Sequence, residues 1–162
     1  ALKTDDLYQS LEAKKLHRNF MGYSASKTQL MIGLGVSSIS DSWYGFAQNS
    51  KSIEEYQQRI KEGKLPVFRG HLLNDEDLII RKHILNLMCH LETSLSFQDD
   101  FFELPEVLER LEEMENDLLI EIQPNSLKVT EKGRPFVRNI CMAFDLRLQR
   151  NKPETRLFSM TV

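Results

Sequence analysis

The sequence predicts a mainly helical α+β protein, and three patterns carry that reading. Apolar residues recur at the helical period from Leu78 to Leu91 and again from Phe136 to Leu148. Two short strand-like runs, 118–122 and 127–129, flank the turn-rich tetrapeptide Gln123-Pro124-Asn125-Ser126. A further apolar run, Met31-Ile32-Gly33-Leu34-Gly35-Val36, carries two glycines between polar flanks.

In chain order, residues 4–16 read as a short helix, capped by Thr4 or Asp5, with Leu7, Leu11 and Leu16 on one side. The run 31–36 reads as a strand buried among parallel neighbours, its glycines permitting close approach of another backbone or a ligand. Ser52-Ile53-Glu54-Glu55 is a capping box, so a helix should run to Glu62 and stop at Gly63. Pro66 favours an extended link through Val67 and Phe68 to Arg69-Gly70, and a domain boundary falls near residues 70–74. Asn74 opens the longest helix, whose buried stripe is Leu78, Ile80, Ile84, Leu87, Met88 and Leu91. Pro105 starts another, with Val107, Leu108, Leu111 and Met114 apolar, ending by Asp117. After the hairpin a last helix begins somewhere in 130–134, since Pro135 blurs its start, and buries Phe136, Val137, Ile140, Cys141, Phe144 and Leu148.

Helix, helix, hairpin and helix is a winged-helix-like plan. DNA binding would require a basic recognition helix, yet the helix before the hairpin carries Glu106, Glu109, Glu112, Glu113 and Glu115, which repel phosphates. The net charge of -3 points the same way. Ten acids crowd residues 98–121 and eight bases residues 128–156, a split read here as solvated helix faces. No apolar run approaches the roughly 18 to 20 residues of a membrane span, and the amino-terminal residues lack the plan of a secretory signal, so a cytoplasmic protein is expected.

Cys89 and Cys141 are too few for an iron–sulfur or zinc site, and a packing role is expected for Cys141. His83 and His90, seven residues apart on one helix, are separated by about 10 Å along its axis and cannot share a metal. Both are expected at the surface or at a boundary. No P-loop, nucleophile elbow or His-Glu-x-x-His occurs.

One longer pattern remains. His17-Arg18-Asn19-Phe20-Met21-Gly22-Tyr23 is followed by Met31-Ile32-Gly33-Leu34-Gly35-Val36-Ser37-Ser38-Ile39-Ser40. Then come Tyr44, Ala47-Gln48-Asn49, Arg69-Gly70, Val129-Thr130, Lys132-Gly133-Arg134, Arg138-Asn139-Ile140-Cys141-Met142, Phe144-Asp145 and Phe158-Ser159, in that order. This series resembles the oxygen-independent coproporphyrinogen III oxidases across essentially the whole chain. Related heme chaperones, the nearest alternative, look like Asn-Leu-Gly-Tyr-Trp at the first motif and lack the Arg-Asn-Ile-Cys-Met series; a free-standing interaction module of winged-helix type is the non-enzymatic one.

The resemblance implies a carboxy-terminal piece of an enzyme that converts coproporphyrinogen III to protoporphyrinogen IX with S-adenosylmethionine and a [4Fe–4S] cluster. The cluster's three-cysteine motif would lie upstream, so the chain alone should bind no iron and be inactive. Residues 1–45 would be the end of a radical S-adenosylmethionine partial (β/α) barrel, 46–73 a connector, and 74–162 a carboxy-terminal helical domain. The parent would be monomeric and contact neither nucleic acid nor membrane, while the piece would self-associate through its barrel strand. Two cofactor-binding positions are implied for a second S-adenosylmethionine: Ile39, and Met21, which stands where the family has glutamine. Leu118 stands where the family has glycine, so a left-handed backbone there would cost of order 1 kcal/mol.

Overall fold

Asp5 starts the first helix as its side chain accepts from the amides of Leu7 and Tyr8, and α1 runs over Asp6–Glu12. It stops short of Leu16 because Lys14 turns to a φ of 53°. A hairpin follows, β1 (His17–Asn19) with β2 (Gly22–Ser24), where Asn19 pairs with Gly22 across the two-residue turn Phe20-Met21. Asn19 Oδ1 accepts from the Met21 amide at 2.9 Å, and Gly22 at φ 125° completes the reversal. Sequence patterning missed this hairpin, since its strands are three residues each and show no alternation.

The computed structural model describes residues 2–95 and 104–150. They divide into two compact units, one up to Leu78 and one from Ile79 onward. The first is organised on an antiparallel sheet of order β3-β4-β5-β6: Leu30–Met31, Ile39–Ser42, Gly45–Asn49 and Val67–Leu72. The expected parallel, buried strand over 31–36 is therefore corrected. Only Met31 of that run is in a strand, its pairing is antiparallel, and Ile32 and Leu34 are exposed at 66% and 86%. The cause is local, because Gly35 at φ 99° and Ser37 at φ 61° turn the chain into a loop. Asn49 then takes up the freed carbonyls, its Nδ2 donating to Gly33 O at 3.1 Å and Gly35 O at 2.9 Å.

Helix α2 (Ile53–Lys61) is capped by Ser52, whose Oγ accepts from the Glu55 amide, as the sequence indicates. The return half of the box is not made: the Glu55 carboxylate instead accepts from Ser50 Oγ at 2.6 Å and from Arg59. Asn74 and Asp77 form a reciprocal cap at the start of α3 (Asp75–His90), each side chain accepting from the other's amide.

The second unit holds the hydrophobic core. Strand β7 (Glu92–Ser94), α4 (Leu104–Asn116), β8 (Ile120–Gln123), β9 (Ser126–Val129), a 3-10 turn at Arg134–Phe136, α5 (Val137–Phe144) and α6 (Leu146–Arg150) complete the described chain. The strands make an antiparallel sheet of order β7-β9-β8, so the expected hairpin gains a third member, which Leu91 at φ 58° turns the chain to start. Leu87, Val107, Leu111, Ile120, Leu127, Ile140, Phe144 and Leu146 are almost wholly buried. The last stripe shifts phase: Leu146 replaces Leu148 in the core because the helix breaks at Asp145, at ψ 82°. Phe136 stays half exposed. His83 is not at the surface but buried, with Nδ1 2.9 Å from Thr93 Oγ1 and its ring 5.4 Å from that of Phe144. The architecture is a mixed one of helices and antiparallel sheets.

Candidate functional site

Strand alternation sorts the first unit's sheet into two faces. Directly paired residues share a face, so Ile39, Gln48 and Arg69 form one row across β4, β5 and β6. Asp41, Phe46 and His71 form the next row on the same side. The opposite face carries Ser40, Ala47, Gly70, Ser42, Gly45 and Leu72.

The glycine loop is tied to that second face. Ser40 Oγ accepts from the Gly33 amide at 3.1 Å, Asn49 grips the Gly33 and Gly35 carbonyls, and the Gly35 amide donates to Tyr56 Oη at 3.2 Å. A Cβ on Gly33 would lie 2.6 Å from the Ile39 carbonyl oxygen. The close approach that glycine permits here is thus one of the chain to itself, and the space at Gly33 is not open to a ligand.

The first face is different. Phe20, from the β1–β2 turn, packs edge-on against Phe46 with ring centroids 5.3 Å apart, which places the hairpin on the side that carries Ile39. Met21 sits beside Phe20 at the hairpin tip and is 86% exposed. Ile39, at the start of β4, is half-buried. The two sequence-identified positions therefore belong to two elements associated with one sheet face, one on the sheet and one on the hairpin that rests against it.

Polar side chains on this face are held at two separate places. Gln48 Nε2 donates to the Ser37 carbonyl at 3.2 Å, its Oε1 accepts from Arg69 Nε at 3.0 Å, and His71 Nε2 lies 3.0 Å from the buried Asp77 carboxylate. In the sequence Gln48 and Arg69 stand within Ala47-Gln48-Asn49 and Arg69-Gly70, and no local pattern marks a role for either. Only their cross-strand register brings them beside Ile39.

Both cysteines are buried thiols outside any disulfide, and Cys141 Sγ donates to the Ile84 carbonyl at 3.9 Å, which is packing geometry. Among the described residues no three of His, Cys, Asp or Glu are placed to hold a metal, and no helix is long and apolar enough to cross a membrane. Two thiols cannot supply the ligands of a [4Fe–4S] cluster.

No protein-family model matches the chain. Curated relatives do. The oxygen-independent coproporphyrinogen III oxidase of Pseudomonas aeruginosa is 37% identical over 90% of this chain and 33% of its own length. Those of Escherichia coli and Synechocystis are 34% and 33% identical, each over 98% of this chain and 36% of their own length. The solved coproporphyrinogen III oxidase of Escherichia coli, a radical S-adenosylmethionine enzyme, superposes with a TM-score of 0.84 at 34% identity, over 91% of this chain and 36% of that one. The chain spans about a third of the length of these relatives. Over nearly all of its own length it is accordingly a relative of one part of the oxygen-independent coproporphyrinogen III oxidases.

Proposed function

We propose that the chain is part of an enzyme that oxidatively decarboxylates two propionates of coproporphyrinogen III to vinyl groups, yielding protoporphyrinogen IX in heme synthesis. The observation that carries this is joint similarity in sequence and fold along nearly the whole chain, with a TM-score of 0.84 to a radical S-adenosylmethionine enzyme. In this reading residues 1–45 end a partial (β/α) barrel, 46–73 lead away from it, and 74–162 form a carboxy-terminal domain whose hairpin is winged-helix-like. The parent works in the cytoplasm as a monomer.

Bound S-adenosylmethionine supplies radical hydrogen abstraction. The ligands of the accompanying [4Fe–4S] cluster lie elsewhere in the parent, because this sequence has only two cysteines. What this chain offers the cofactor is apolar contact from the half-buried Ile39 and a thioether from the exposed Met21. A thioether accepts weakly and donates nothing, so Met21 orients a ligand less firmly than an amide would.

The full-length gene product should convert coproporphyrinogen III to protoporphyrinogen IX anaerobically, only when S-adenosylmethionine and a reductant are present; absence of product from iron-replete protein refutes the reading. Replacing Ile39 by Asp puts a charge against an apolar contact. That variant should keep its melting temperature and iron while turnover falls. Unfolding would instead identify Ile39 as packing, and undiminished activity would remove it from the site.

A further inference from the structure

The row Ile39, Gln48, Arg69 crosses three strands and spans about 9.5 Å, two strand spacings. At its β4 end stands an aliphatic side chain, at its β6 end a guanidinium. The Phe20–Phe46 pair bounds it on one side. Among the described residues Arg69 makes one hydrogen bond, through Nε, and Nη1 and Nη2 have no partner. The side chain that holds it, Gln48, is itself fixed, because its amide nitrogen donates to the Ser37 carbonyl. Gln48 thus has both ends engaged, and its orientation is set by the loop on one side and the arginine on the other.

An exposed arginine usually forms an ion pair or waves in solvent, and neither describes Arg69. No carboxylate lies within ion-pair distance of it among the described residues: in the same unit Glu55 pairs with Arg59, and Asp77 with His71. Asp41 shares the face but belongs to the next row and is buried. A guanidinium held through Nε presents its two terminal nitrogens as a planar fork, the geometry that receives a carboxylate in bidentate fashion.

We propose that Arg69, aimed by Gln48, is a carboxylate anchor for a ligand lying along the Ile39–Gln48–Arg69 row. The inference rests on the functional reading above and deepens it, since both molecules that reading requires are carboxylates. S-adenosylmethionine bears one on its methionyl end, remote from its apolar adenine face, and coproporphyrinogen III bears four propionates. Gln48 is a positioning residue in this scheme and touches no ligand.

The test compares the full-length gene product with its Arg69→Gln and Gln48→Ala variants by titration with three probes. S-adenosylmethionine carries the carboxylate, 5′-methylthioadenosine keeps the adenosine and its 5′-sulfur but lacks the sulfonium charge and the whole aminocarboxypropyl arm, and coproporphyrin III is a stable tetracarboxylate analogue of the substrate. If the cofactor is the source, Arg69→Gln should weaken S-adenosylmethionine about 10- to 100-fold, as expected for a lost charge-assisted pair, and leave methylthioadenosine unchanged. If the substrate is the source, coproporphyrin III should weaken by a like factor while both adenosine probes hold. Gln48→Ala should shift the same probe in the same direction by a smaller factor. A fold defect would depress all three probes together, and that pattern, or unchanged affinity for both carboxylates, overturns the proposal. Wild-type protein that binds neither carboxylate overturns the functional reading, and this inference falls with it.

Discussion

Leu118 shows how one backbone angle becomes a measurable quantity. It lies between α4 and β8 at φ 60° with its side chain 69% exposed, so it occupies the left-handed region with little packing in return. Around it the chain is closely held. Thr130 Oγ1 donates to the Leu118 and Leu119 carbonyls, Lys132 Nζ donates to the Asp117 carbonyl, and a Cβ on Gly133 would fall on the Leu119 carbonyl oxygen. The conformation is therefore imposed by its surroundings and not chosen by leucine. Leu118→Gly should stabilise the second unit by about 1 kcal/mol, read as a rise in the urea midpoint with no change in slope. A neutral or destabilising outcome would mean that the exposed leucine packs more than its exposure indicates. The expectation at this position came from the sequence, whereas the angle that makes it apply came from the structure.

At the level of elements, α2 depends on a residue outside it. The wholly buried Ser50 donates from Oγ to Glu55, and with Arg59 beside it this hydrogen bond holds the Glu55 carboxyl below the ordinary carboxylate range. A carboxyl whose pKa is lowered on folding adds stability above its unfolded pKa and loses that contribution as the pH falls through the folded value. Ser50→Ala should raise the Glu55 pKa toward its ordinary value, as followed by carbon-detected NMR, and should blunt the loss of α2 stability on acidification. An unmoved Glu55 titration would assign the lowering to Arg59 alone. The capping box was legible in Ser52 and Glu55, but its second half was not, because Glu55 has a better donor in Ser50 than the amide that the local pattern offers. Likewise α3 and α4 were readable from period and caps, while β1, β2 and β7 were not, since strands of three residues carry too little alternation to register.

Across the whole molecule the two units differ in what they bury. Every buried hydrophobic residue among those described lies from Ile80 onward, whereas the first unit buries His17, Asp41, Asn49, Ser50 and Asp77 and exposes Leu30, Ile32, Leu34, Leu65, Phe68 and Leu72. Apolar surface on this scale favours association. The 162-residue chain by itself should therefore self-associate through the first unit, and sedimentation should show its weight-average mass rising with concentration; Leu34→Lys together with Leu72→Lys should suppress that rise. A concentration-independent monomer would count against the expectation. The sequence by itself determined the family relationship, the long helices, their caps and the β8–β9 hairpin, because these are written in local period, turn chemistry and ordered motifs. Tertiary structure alone decided that residues 31–36 leave the sheet as a loop, that His83 is buried, and that Ile39, Gln48 and Arg69 stand in one row. Each of those depends on partners distant in sequence, Asn49 for the loop, Thr93 for the histidine and cross-strand register for the row, and no local pattern encodes them.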